Sequence, residues 1–147
     1  MLVYWTMGRL ARKVNAFGLA ALLISSCSSP SKPSGPLTTE EQAILNVGLA
    51  YREASRALRR GPDSAKELKP YLKKYGDPDQ LLISPNDGQP YHLVWGLVPS
   101  QPSKNTQANR FLAYEQSGRD GKRYALDFML KVYHLTDEEF NRLRGPS

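Results

Sequence analysis

From Thr38 onward the apolar residues fall first at helical and then at strand spacing. Ile44, Val47, Tyr51, Ala54 and Leu58 recur every three or four residues, which places one apolar stripe on a helix. Thr38-Thr39-Glu40-Glu41 stands at its start as Ser/Thr-x-x-Glu, a capping box that satisfies N–H groups left free at a helix N-terminus. Arg52, Arg56, Arg59 and Arg60 gather toward the other end, where the helix dipole favours cations, and Gly61-Pro62 stops the element. The spacing predicts a helix over 39–60. A second box, Ser64 to Glu67, opens a shorter helix through Leu68, Tyr71 and Leu72 to Tyr75-Gly76, with Pro70 placed to break or kink it. Asp77-Pro78-Asp79 reads as a turn, Leu81-Leu82-Ile83 as a short apolar segment, and Ser84-Pro85-Asn86-Asp87-Gly88 as another turn.

From Tyr91 the period becomes that of strands. Tyr91–Gly96, Arg110–Glu115, Lys122–Asp127 and Lys131–Leu135 are the predicted strands, and a polar loop runs from Pro99 to Asn105. Asp120-Gly121 marks a hairpin turn between the second and third. Thr136-Asp137-Glu138-Glu139 is a third capping box, and Phe140 and Leu143 follow in a short helix ending at Gly145-Pro146. The expected architecture is α+β. The long N-terminal helix packs its stripe on an antiparallel sheet of three or four strands, and the short C-terminal helix closes one edge.

The residues before Thr38 follow a different logic. Residues 1–26 contain no acid; Arg9, Arg12 and Lys13 precede an apolar run from Ala16 to Ile24. Nine apolar residues are too few to cross a bilayer, which takes about 20 in a helix, so the segment reads as a cleaved export signal. Ile24-Ser25-Ser26-Cys27 resembles the lipobox of bacterial lipoproteins: small side chains fit the peptidase subsites, and the thiol carries diacylglycerol. A plain signal peptide or an uncleaved signal-anchor is the other reading. Ser28 after the cysteine resembles lipoproteins sorted to the outer membrane, facing the periplasm, and Met7 offers a second start. Ser28–Pro36 holds three prolines and no large apolar side chain, hence a tether reaching at most ~30 Å. The expected organisation is a signal peptide over 1–26, lipidated Cys27 and tether over 27–37, and one α+β domain over 38–147.

Composition changes this picture in two places. A chain of 147 residues fits one domain, and two His with a single Cys leave no material for a disulfide framework or a Cys-rich zinc site. Three of the 20 basic residues and none of the 14 acidic ones precede Cys27, so the net charge of +6 falls to +3 behind it. Much of the basicity belongs to the export signal, which argues against a nucleic-acid partner. The remainder is concentrated. Arg52, Arg56, Arg59, Arg60, Lys66, Lys69, Lys73 and Lys74 stand against three acids, with Tyr71 and Tyr75 between the lysines. This segment is the candidate site for an anionic surface, whether lipid headgroups, an acidic cell-wall polymer or an envelope protein; the alternative is a solvated helix face.

Signatures of catalysis are few. There is no Gly-x-Ser-x-Gly turn, no phosphate-cradling glycine loop and no cysteine free to act. His92 and His134 lie beside large apolar residues in predicted strands; a metal would require them to meet across the sheet with Asp87, Glu115 or Asp127. Tyr91, Trp95, Tyr114, Tyr124 and Tyr133 form either a binding strip or cross-strand core pairs. The expectation is a protein that is not an enzyme, with no metal and no cofactor beyond the covalent lipid.

Ser84-Pro85 with Asp87-Gly88, Val94-Trp95-Gly96, Leu112-Ala113-Tyr114-Glu115, Gly121-Lys122-Arg123-Tyr124 and Leu135-Thr136-Asp137-Glu138-Glu139-Phe140 together resemble a series in short uncharacterised lipoproteins of Planctomycetes. The same order, over roughly 80–143, is similar to the C-terminal end of pilin-like proteins of that phylum. Asp127–Leu130 lacks the glycine turn usual there, and the long hydrophobic pilin helix is absent. The resemblance implies a fold rather than a reaction. The expected function is a membrane-anchored envelope lipoprotein with a non-catalytic binding or scaffolding role. The alternatives are an accessory subunit of a pilin-like or secretion assembly and a small cell-wall hydrolase.

Overall fold

The computed structural model describes residues 35–98 and 111–144. The signal segment, Cys27, most of the tether, the loop from Pro99 to Asn105 and the Gly145-Pro146 stop lie outside the described residues. Helix α1, Thr39–Leu58, begins at the expected capping box: Thr38 Oγ1 accepts from Glu41 N at 3.2 Å and Glu41 returns the contact to Thr38 N at 2.8 Å. Ile44, Val47, Tyr51 and Ala54 are fully buried, while Leu58 at the helix end is 36% exposed. Arg59 ends the helix in a left-handed conformation.

Helix α2, Ala65–Leu72, contains Pro70, yet it is not broken there. Pro70 is exposed and the helix ends two residues later, so the one backbone bond a proline cannot donate, toward exposed Lys66, is forgone on the solvent side. The expected box at Ser64 does not form. Glu67 turns instead to Asp63 N, at 3.0 Å, and to Arg60, at 2.6 Å. Asp77-Pro78-Asp79 is not a simple turn but the start of helix α3, Pro78–Leu81, with Asp77 accepting from Asp79 N and proline at the first helical position, where its missing N–H is harmless.

Four antiparallel strands follow in a meander, β1 His92–Leu93, β2 Phe111–Tyr114, β3 Lys122–Asp127 and β4 Val132–Thr136, and helix α4, Asp137–Arg144, closes the chain. Strand β1 is shorter than its sequence pattern. After Val94, whose N–H still bonds to Leu112 O, the backbone leaves the sheet to reach α1 and Pro62. The β2–β3 hairpin closes as expected through Asp120 and Gly121, both with positive φ, inside reciprocal Arg119–Lys122 bonds of 2.8 and 3.0 Å. The box at Thr136 also forms, with Glu139.

The sheet is buried on both sides. A bulge in β2 between Phe111 and Ala113 puts Leu112 and Ala113 together on the face covered by α1 and α2, and Phe111 and Tyr114 together on the other. That second face carries Ala125, Tyr133 and Leu135 and is covered by Phe140 of α4, stacked on Phe111 at 5.4 Å. Helix α4 therefore lies across a sheet face, not along an edge: with Phe140 and Leu143 on one side, it needs an apolar surface to cover. The larger face joins Ile44, Val47, Tyr51, Leu68, Leu72, Tyr91, Leu93 and Leu126 in one core, each side chain stabilising the fold by roughly 1.5–3 kcal/mol.

Two contacts tie the chain after β1 to the helices. Tyr51 donates its hydroxyl to Val94 O at 2.9 Å and accepts from Leu97 N at 3.2 Å, while its ring stacks near Trp95. Gly96 N bonds to Pro62 O, and a methyl group built on Gly61 would stand 2.4 Å from backbone atoms of Gly96 and Leu97. Because backbone blocks that site, Gly61→Ala is expected to destabilise by about 1–3 kcal/mol in denaturant unfolding. An unchanged midpoint would mean the crossing is looser than this geometry.

Candidate functional site

The deepest polar cluster joins the turn before β1 to the β2–β3 hairpin. The turn is built locally: Gly88 N bonds to Ser84 O, Ser84 N to Gln89 O, and Asp87 Oδ1 accepts from Gln89 N. Glu115, immediately after β2, is fully buried. Its carboxylate accepts from Ser84 Oγ at 2.5 Å, Asn86 Nδ2 at 2.9 Å and Tyr124 N at 2.8 Å. Asp87 Oδ2 reaches the same hairpin and accepts from Ser117 N and Gly118 N. Gly118 has φ +70°, and a Cβ there would meet Lys122 O at 2.1 Å, so glycine is required for the hairpin to present these N–H groups.

This arrangement does structural chemistry. Every oxygen of Glu115 is engaged by its own chain, and no part of it reaches solvent. Partial burial pushes the Asp87 carboxyl up, but the N–H groups of Gln89, Gly118 and Ser117 outweigh it and hold the group below the ordinary aspartate value. Burial pushes the Tyr91 hydroxyl well above the usual tyrosine range, with neighbouring Ser84 offsetting only part of the shift. That hydroxyl is buried and meets no hydrogen-bond partner of good geometry among the described residues. Desolvation likewise raises Tyr51, to about 12.

The two histidines do not meet. His92 is on edge strand β1, stacked on Tyr114 at 4.6 Å; His134 is on the opposite edge strand β4, stacked on Tyr124 at 4.3 Å. Three strand spacings of ~4.8 Å separate them by about 14 Å, beyond a shared ion with ~2 Å bonds. Tyr114 packs with the α4-side cluster and Tyr124 with the α1-side core, so the histidines also belong to opposite faces. Asp127 is occupied elsewhere, accepting from Met129 N, Lys131 N and the Tyr133 hydroxyl. Among the described residues no group of three or more His, Cys, Asp or Glu is placed to hold a metal. The aromatic residues divide between the two cores: Tyr91, Trp95 and Tyr124 on the α1 side, Tyr114 and Tyr133 on the α4 side.

The basic segment is likewise divided. Lys74 pairs with Glu53, joining α2 to α1 and, with Tyr75, holding the Glu53 carboxyl below its usual range. Arg60 pairs with Asp63 and Glu67, and Lys69 with Asp79 of α3 at 2.6 Å. Arg52, Arg56, Arg59, Lys66 and Lys73 make no ion pair among the described residues. At about 100° per residue, Arg52 and Arg56 share one flank of α1, with Arg59 following at its left-handed C-cap, while Lys66 and Lys73 share the outer face of α2 with Lys69. The eight cations are thus two stripes and a set of helix braces. Sequence reasoning placed Glu115 only among possible metal partners and missed its burial. The signal available was Ser84 and Asn86 in a turn compact enough to dock. No family model, curated protein or solved structure matches the chain.

Removing the charge of Glu115 should be costly, because Gln presents an amide to donors that need an acceptor. Glu115→Gln is expected to lose about 3 kcal/mol in chemical unfolding, whereas Tyr91→Phe, which deletes an unbonded hydroxyl, should be neutral or stabilising. A large loss in Tyr91→Phe would show that this hydroxyl has a partner. Asp87 gives a pH signature. Its contribution is complete above the ordinary aspartate value of 3.8 and is lost as pH falls through its lower folded value. Asp87→Asn should therefore be less stable at neutral pH and show a shallower acid limb; parallel pH–stability curves would contradict this.

Proposed function

We propose that the chain is a lipoprotein of the bacterial envelope, anchored through a diacylglyceryl thioether on Cys27 and carrying a non-catalytic α+β domain that binds or scaffolds a partner beside that membrane. One observation carries the reading: Ile24-Ser25-Ser26-Cys27 directly follows an acid-free segment with a basic start and an apolar run. The single cysteine supports it, since acylation removes a thiol that would otherwise stand unpaired in an exported chain. So does the placement of the folded part. Helix α1 starts at Thr39, and the nine residues Ser28–Pro36 span at most ~30 Å, which keeps the domain near the lipid. Ser28 favours the outer membrane. Commitment of Glu115 and Asp87 to the fold's own hydrogen bonds favours binding over acid–base chemistry at that cluster.

The test is metabolic labelling with a fatty acid followed by membrane fractionation. The natural chain should carry label and sediment with membranes, and Cys27→Ala should lose both. An unlabelled natural chain overturns the anchor, and with it the envelope assignment.

A further inference from the structure

We propose that the flank of α1 bearing Arg52, Arg56 and Arg59, with the β3–β4 turn Phe128–Leu130 beside it, is a docking face for an anionic lipid bilayer. The inference rests on the proposed anchor, which supplies the bilayer, and it names the surface that meets it. Three observations support the assignment.

The first is position. Gly48 of α1 faces Leu126 and Leu130, so the β3–β4 turn lies against α1 one helical turn before Arg52. The second is exposure. Met129, at the tip, is 83% exposed, the largest value for a large hydrophobic residue among the described residues, and Phe128 and Leu130 beneath it are only partly buried. The tip is also held: Asp127 Oδ1 accepts from Met129 N at 2.8 Å and from Lys131 N at 2.9 Å, and Leu130 adopts φ 63°, a conformation leucine rarely takes. A strained, braced turn thus presents a methionine outward.

The third is charge. Among the described residues the acids beside the stripe are already engaged: Glu53, three residues before Arg56 and in electrostatic contact with it, is bound by Lys74 and Tyr75, while Asp127 is taken up by its own turn and by Tyr133. Cations flanking an apolar tip match a bilayer interface, where phosphates lie over acyl chains. A purely polar acidic polymer gives Met129 nothing to contact. Geometry permits the pose: α1, with 20 residues, is ~30 Å long and can lie along the surface with its N-terminal end at the tether.

The test uses the full acylated chain in vesicles of phosphatidylglycerol with phosphatidylcholine, and in phosphatidylcholine alone. A nitroxide is attached through Met129→Cys, with Lys73→Cys on the outer face of α2 as control. In anionic vesicles the label at position 129 should collide with oxygen in the hydrocarbon and be shielded from an aqueous nickel chelate; in neutral vesicles, or at 1 M salt, it should be exposed. The control label should stay exposed throughout. Replacing Arg52, Arg56 and Arg59 with Gln should lower the docked-to-undocked ratio by on the order of 100-fold at low salt, and Met129→Ser, which leaves the helix intact, should weaken docking without changing any charge. A label at 129 equally wet in both vesicles, deeper burial of the control label, or protection by an acidic cell-wall polymer but not by vesicles overturns the proposal. Failure of the anchor reads differently: the natural chain, with no added cysteine, would then take up the thiol label at Cys27.

Discussion

The buried carboxylate of Glu115 is the constraint on which the arrangement of the sheet depends. A charge without solvent is tolerated only when its oxygens are fully bonded. Three donors reach it from two places: Ser84 and Asn86 in the turn before β1, and Tyr124 N in β3. One side chain therefore fixes where a turn, an edge strand and a hairpin sit relative to one another. Asp87 repeats the connection from the opposite direction by accepting from Ser117 and Gly118. Strand β1 has only two residues and cannot hold its own register. The latch holds it instead.

With β1 and the hairpin fixed, the bulge in β2 decides how two small cores are filled. Strict alternation would put Phe111 and Ala113 on one face and Leu112 and Tyr114 on the other. The extra residue lets the small Ala113 and Leu112 lie under α1 and α2, and sends both aromatic rings toward α4. Phe140 then packs between Phe111 and Tyr114, while Arg123 covers its ring at 4.6 Å and pairs with Asp137 at the start of the same helix. The C-terminal helix is positioned by aromatic packing and its first turn by charge.

Much of this was legible in the sequence where the determining interaction is local. The boxes at Thr38 and Thr136, the stripe from Ile44 to Ala54 and the Asp120-Gly121 turn depend on residues three or four apart, and each forms as written. Where a non-local partner competes, the local pattern misleads. Glu67 has the spacing to cap Ser64, but Arg60 offers two charged donors and Asp63 an N–H, so the box is lost. Tyr91–Gly96 alternates like a strand, yet the pull of Tyr51 and Pro62 ends β1 after Leu93. Glu115 was the least visible, because a carboxylate after a strand reads as solvent-facing until the turn that supplies its donors is in place.

The same distinction governs the basic segment. A count along the chain treats eight cations as one patch, but a carboxylate within reach changes what a cation can do. Arg60, Lys69 and Lys74 each bind an acid that holds the helices in place, with Glu53, Glu67 and Asp79 as partners. Such exposed pairs contribute little stability, but they decide which cations remain for an external anion. Those left on α1 share a flank with an apolar turn; those left on α2 do not. Attraction from charge alone is screened within ~8 Å at physiological salt, whereas insertion of an apolar side chain is not. A surface that combines the two can keep a tethered domain in one orientation where charge alone would leave it free to turn.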